Sequence, residues 1–142
     1  MINVKSIEEA KKLAKEEKRP IIIRAQSDDF NRKALEQVKF DILLSPESEN
    51  KQGGTRQIDS GLNEVLLNIA KKRDITIGID LKEIKDLEKI DKARRLAKLR
   101  QNIVLCKRIG VKIKMLNYKN KREASSFLTS LGASTKQAQE AA

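Results

Sequence analysis

Apolar residues along this chain follow two rhythms. Short runs in which almost every position is apolar alternate with longer stretches in which apolar residues recur every three or four positions. The first rhythm reads as strands covered on both faces, the second as amphipathic helices. The runs are Ile2–Val4, Pro20–Ala25 (PIIIRA), Asp41–Ser45 (DILLS), Ile75–Asp80 (ITIGID) and Val111–Leu116. Ser6 is placed to cap a helix over Ser6–Lys18, with Ile7, Ala10, Leu13 and Ala14 on its apolar side. Asp28 or Asp29 is expected to open a second helix reaching Val38. Asp59 or Ser60 is expected to open a third, ending near Arg73, with Leu62, Val65, Leu66 and Ile69 as its stripe. A long helical region, Leu81–Ile109, is expected to break near Asp86–Lys89 and to end at Gly110, a residue suited to a left-handed C-terminal position. Lys121–Leu131 forms the last helix, followed by Gly132.

The alternation βαβαβαβαβα predicts an α/β fold with a parallel sheet. It leaves two architectures, an open doubly wound sheet or part of a (β/α) barrel. The expected organisation is one (βα)5 domain over residues 1–133 and a polar C-terminal tail, 134–142, helical or frayed. At 142 residues, one domain with its own core is the natural size.

Charge changes the picture more than length does. The net charge is +11. Residues 1–80 are nearly balanced, with 15 basic and 14 acidic side chains, whereas residues 81–142 carry 16 against 6. From Lys92 to Arg122 there are 12 basic residues and no acid. Solvated helix faces usually mix signs, so this run points to a polyanion. Arg94, Lys98 and Arg108 fall opposite the stripe Leu96, Leu99, Ile103, Cys106. Lys112 and Lys114 alternate with Val111, Ile113 and Met115, and Lys119, Lys121 and Arg122 crowd the following loop. Cations of this kind neutralise phosphates without reading bases. Three Phe and one Tyr supply little stacking surface for single strands, so folded RNA or a duplex backbone is the better ligand.

Several chemistries are excluded or weak. The chain has no His, which removes Ser-His-Asp and Cys-His catalysis and imidazole metal sites. Cys106 stands alone and sits on an apolar stripe, as a core residue would; a reducing, cytoplasmic setting fits. No apolar run has membrane length, and no membrane partner is expected. A receiver domain needs an acidic pair after its first strand and an Asp ending its third; NVKS and LLSP supply neither. Neither GxxxxGK[ST] nor GxGxxG occurs, and the paired Gly53 and Gly54 are better turn formers than phosphate binders. Asp80 ends a strand where barrel enzymes place catalytic groups. Its spacing to Glu83 also suits a helix-capping pair.

From Pro20 to Gly132 the chain resembles the ribonuclease P protein component 3 family, the archaeal counterpart of the eukaryotic thirty-kilodalton subunit. The resemblance is carried by PIIIRAQSDDF, VKFDILLSP and SGLNEVLLNIAKKRDITIGIDL, in that order, and by SLG near the end. It implies a TIM-barrel-like fold related to the metal-dependent phosphoesterase (PHP) barrels without their metal chemistry. Family members are longer by about two N-terminal βα units, so a barrel that is incomplete, or closed by a partner, is expected. The resemblance further implies a subunit of an RNA-based endoribonuclease that removes the 5′ leader of precursor tRNA. RNA supplies the catalysis with magnesium, and the chain holds no catalytic residue or cofactor of its own. Implied partners are ribonuclease P RNA, precursor tRNA indirectly, and component 2, a ferredoxin-like subunit. Matching basic positions give the RNA-contact candidates Arg32, Lys33, Arg56, Arg73, Arg108 and Arg122, joined by Lys72 and Lys107. The family's His in SGLNHVL is Glu64 here, which counts against a cation at that helix start. The alternatives are a metal-dependent phosphoesterase of the related barrel type and a scaffold making only protein contacts.

Overall fold

The computed structural model describes residues 1–48 and 59–142. Four strands, β1 (Ile22–Arg24), β2 (Ile42–Leu44), β3 (Thr76–Asp80) and β4 (Ile113–Leu116), pair in parallel in the order β1-β2-β3-β4. The expected first strand is reduced to one parallel bridge, Ile2 to Ile23, held by the Ile2 amide on the Ile22 carbonyl at 2.7 Å. Strand order decides between the two architectures. A doubly wound sheet reverses its order at a switch point; here the order never reverses. Right-handed crossovers then put the connecting helices on one face, as in a barrel wall. The sheet is a barrel-like arc, not a closed barrel.

The helices are α1 (Ile7–Glu16), α2 (Asp28–Gln37), α3 (Glu64–Lys72), α4 (Leu81–Lys85), α5 (Lys89–Ile109), α6 (Lys121–Ser130) and α7 (Thr135–Ala141). The break expected at residues 86–89 separates α4 from α5, and Gly110 ends α5 at φ 93°. Two helices start later or elsewhere than expected. Ser27, not Asp28 or Asp29, caps α2 by accepting the Phe30 amide at 3.2 Å. Asn63, not Asp59 or Ser60, caps α3 by accepting the Leu66 amide at 2.9 Å. In α3, Leu66, Leu67 and Ala70 face the core and Val65 is exposed. Residues 135–141 of the expected tail form α7. Ser134 and Gln137 close a reciprocal capping box there, and Ala138 and Ala141 are buried.

Strand register sorts the side chains into two faces. Ile23, Leu43, Ile77 and Ile113, with Ile79 and Met115, point toward the helices and make the main core with Leu35, Leu67, Leu99, Ile103 and Leu128. The opposite face carries Ile22, Ile42 and Thr76 in one row and Arg24, Leu44, Gly78 and Lys114 in the next. A Cβ on Gly78 would lie 2.6 Å from Ile42 Cγ2, so only glycine fits that concave row. Gly61 is fixed more tightly. At φ 81° its missing Cβ would sit 2.0 Å from the Pro46 carbonyl oxygen. This close approach is made to the chain's own 3-10 turn, Pro46–Ser48.

Candidate nucleic-acid interface

The carboxyl-terminal ends of the strands hold an ordered charge network. Arg24, on the concave row of β1, donates from both terminal nitrogens to Glu83 at 2.6 Å each. Arg95 of α5 donates to Glu83 at 2.7 Å and, through Nε, to Glu47 at 3.1 Å. The Arg95 and Glu47 side chains are 8% and 0% exposed. The two arginines hold the Glu83 carboxyl at a pKa of about 2, chiefly through the Arg24 hydrogen bonds. Burial pushes the Glu47 carboxyl up despite Arg95. Among the described residues, Glu47 Oε2, Arg95 Nη2 and the Ser45 hydroxyl have no hydrogen-bond partner. A cavity of about 220 Å³ lies beside them, lined by Leu87, Asp91 and Arg94 among others.

This arrangement ties α4, α5 and the Pro46–Ser48 turn to β1. Asp80 caps α4 by accepting the Glu83 amide at 3.1 Å, and its other oxygen accepts from Asn117 at 2.9 Å. The Glu83 carboxylate bonds to the two arginines instead of closing a capping box. Among the described residues no three His, Cys, Asp or Glu side chains group as a metal site. Cys106 is fully buried, and burial pushes its thiol up to about 12, which suits a core residue.

The opposite end of the sheet differs. There α3 and α5 end and β3 and β4 begin, bringing Lys71, Lys72, Lys107, Arg108 and Lys112 to the same side, all exposed. The side chain of Lys71 crosses the end of α5, its Nζ 3.4 Å from where a Gly110 Cβ would be. A cleft of about 360 Å³ joins Lys107, Gly110 and Lys112 to Lys136 and Glu140 of α7.

The RNA-contact candidates do not converge on one place. Lys72, Lys107 and Arg108 lie at this second end, exposed. Arg73 lies there too but is half-buried and donates to the Leu35 carbonyl at 2.7 Å, tying α3 to α2. Arg32 pairs with Glu36 at 3.1 Å and Lys33 with Asp29 at 3.2 Å along α2. Arg122 is exposed in the first turn of α6, at the network end. Arg56, with Gly53 and Gly54, lies outside the described residues. Glu64 opens α3 and is exposed, an acid where the helix dipole favours one. Sequence reasoning missed the Arg24–Glu83–Arg95–Glu47 network. Its one local signal was Arg95, which falls four residues before Leu99 on the buried side of α5.

No family model matches the chain. Two curated relatives do: a protein of Methanococcus vannielii, 30% identical over 88 residues, and one of Methanosarcina mazei, 31% identical over 91. Both are named ribonuclease P protein component 3. The resemblance to component 3 stands. The matched stretches cover 62% and 64% of this chain but 35% of each component 3 relative. The chain therefore spans about a third of the length of the relatives it matches. Among solved structures, one chain of a cryo-EM structure of archaeal ribonuclease P with mature tRNA superposes with a TM-score of 0.81 at 23% identity. That match covers 98% of this chain and 61% of the other. The fold is thus the one seen in that assembly, and the order of β1 to β4 agrees with a barrel-like arc.

Proposed function

We propose that this chain is a protein subunit of ribonuclease P that binds RNA and a partner subunit and supports the catalytic RNA in removing the 5′ leader of precursor tRNA. The observation that carries this reading is the agreement of two component 3 relatives with a fold match to a chain of an archaeal ribonuclease P. The basic second half supplies the means of holding RNA. Its contacts are drawn from Arg32, Lys33, Arg56, Lys72, Arg73, Lys107, Arg108 and Arg122. The chain itself contributes no catalytic group; magnesium acts with the RNA. Component 2, the ferredoxin-like subunit, is the partner, and the assembly works in the cytoplasm. The phosphoesterase alternative gains no support from the strand ends, where Glu83 and Glu47 are bound by arginines and Asp80 caps a helix. Among the described residues no helix is long and apolar enough to cross a membrane.

The test is copurification from native cells with sequencing of the bound RNA. Ribonuclease P RNA should be the enriched species, with cleavage of precursor tRNA in the same fraction. Enrichment of protein partners without that RNA would overturn the reading in favour of a scaffold.

A further inference from the structure

Cations stand at both ends of the sheet, but their surroundings separate them. At the network end, Arg24 and Arg95 are bound to Glu83 and Glu47, Lys85 pairs with Glu123, and the exposed cations Lys82, Lys89, Lys119, Lys121 and Arg122 stand on elements and caps that also carry Asp86, Glu88, Asp91 and Glu123. At the other end, Lys71, Lys107, Arg108, Lys112 and Lys136 are exposed and make no ion pair among the described residues. Asp41, Asp74 and Glu140 are the acids beside them, and Asp41 is paired with Arg19 at 3.8 Å. Helix dipoles account for some of these cations, since Lys71, Lys107 and Arg108 sit in last turns. They do not account for Lys112, which precedes β4, nor for Lys136, which lies in the first turn of α7 where the dipole disfavours a cation.

Two clefts run together on this side. One, of about 360 Å³, is lined by Lys107, Lys112 and Lys136; the other, of about 560 Å³, by Arg19, Lys112 and Lys114. They share Lys112, Ile113 and Glu140, so the two clefts are continuous from α5 across the start of β4 to α7. Unpaired like charges held together on a folded surface repel one another, and a polyanion removes that repulsion while releasing its own counterions. Neither cleft includes an aromatic side chain, so neither offers a base-stacking platform.

We propose that the RNA-contacting face is the end of the sheet where the strands begin, formed by Lys71, Lys107, Arg108, Lys112 and Lys136, and that its ligand is the phosphate backbone of structured RNA. This rests on the RNA-binding reading above and assigns it a side. The end where ligands of barrel folds usually bind serves here to lock α5 to the sheet. Of the earlier candidates, Lys72, Lys107 and Arg108 belong to the contact face; Arg122 lies at the opposite end.

Two variants of the full chain with equal charge loss test this. One carries Lys71→Gln, Lys107→Gln, Lys112→Gln and Lys136→Gln. The other carries Lys82→Gln, Lys89→Gln, Lys119→Gln and Lys121→Gln, exposed lysines at the network end. Binding of a labelled double-stranded RNA is titrated over a range of salt, with circular dichroism to check folding. The first variant should bind at least tenfold more weakly at low salt, with the slope of log K against log salt shallower by about 3, at roughly 0.7–0.9 per phosphate contact. The second should keep the parental slope to within about one contact on the same scale. Equal losses in both variants, or loss in the second alone, overturn the face assignment and leave the RNA reading in place. Absence of salt-dependent binding by the unaltered chain overturns both.

Discussion

The two ends of the sheet carry similar charges put to opposite uses. Where the strands end, two arginines and two glutamates knit β1, α4, α5 and the Pro46–Ser48 turn into one unit. Where the strands begin, lysines stand exposed beside shallow clefts and make no ion pair among the described residues. Basic residues therefore do not share one role. Arg95 is a structural cation inside an acid-free run, whereas Lys107, on the same helix, is free to meet a partner. Charge density along a sequence points to a polyanionic partner, but pairing and burial decide which cations are available to it.

The contrast can be broken most forcefully at Arg95. Its removal leaves Glu47 buried without a partner, and Arg95→Ala should destabilise the fold by about 3–5 kcal/mol, the usual cost of breaking a buried pair. Chemical denaturation measures this; a loss below 1 kcal/mol would mean that the network is not what anchors α5. Gly61→Ala comes next. It combines a left-handed backbone with overlap on the Pro46 carbonyl and should cost about 2–4 kcal/mol in the same assay.

Acid separates the two glutamates. The Glu83 carboxyl has its pKa lowered to about 2, so its stabilisation is complete above 4.5 and is lost as pH falls toward 2. Glu47 runs the other way. Its raised pKa means stability that is full below 4.5 and lost as pH rises through the folded value. Glu47→Gln should therefore gain on the parent as pH rises, and Glu83→Gln should flatten the acid limb of the unfolding curve. Parallel curves for parent and Glu47→Gln at every pH would show that Glu47 carries no such linkage. The smallest effect belongs to the other end: Lys71→Gln, Lys107→Gln, Lys112→Gln and Lys136→Gln should each shift stability by no more than about 0.5 kcal/mol, because none makes an ion pair among the described residues.

Much of the fold was legible because buried parallel strands advertise themselves as apolar runs. ITIGID and DILLS lie where β3 and β2 form. Ile2–Val4 shrank to a single bridge, Ile2 to Ile23, at the sheet's edge. Helix starts were misplaced at Ser27 and Asn63 because several neighbouring polar residues make competent caps, and local sequence does not choose among them. The choice between a doubly wound sheet and a barrel wall was not in the pattern, since both read as alternating strands and helices; strand order settles it. The charge network was hidden for a similar reason. Arg24 and Glu83 lie 59 residues apart, and Glu47 and Arg95 lie 48 apart, so only the folded sheet brings them together. Of the candidate site, Lys72, Lys107 and Arg108 share one end of the sheet and are exposed. Arg73 does not join them as a free cation, because the Leu35 carbonyl holds it.

The account turns on which end of the sheet meets RNA. Ultraviolet crosslinking of the assembled native particle, followed by mass spectrometry of the crosslinked peptides, reads this directly. RNA adducts should concentrate on peptides containing Lys71, Lys107, Lys112 and Lys136. Adducts confined to peptides spanning Asp80–Arg95, with the lysine end unmodified, would contradict it.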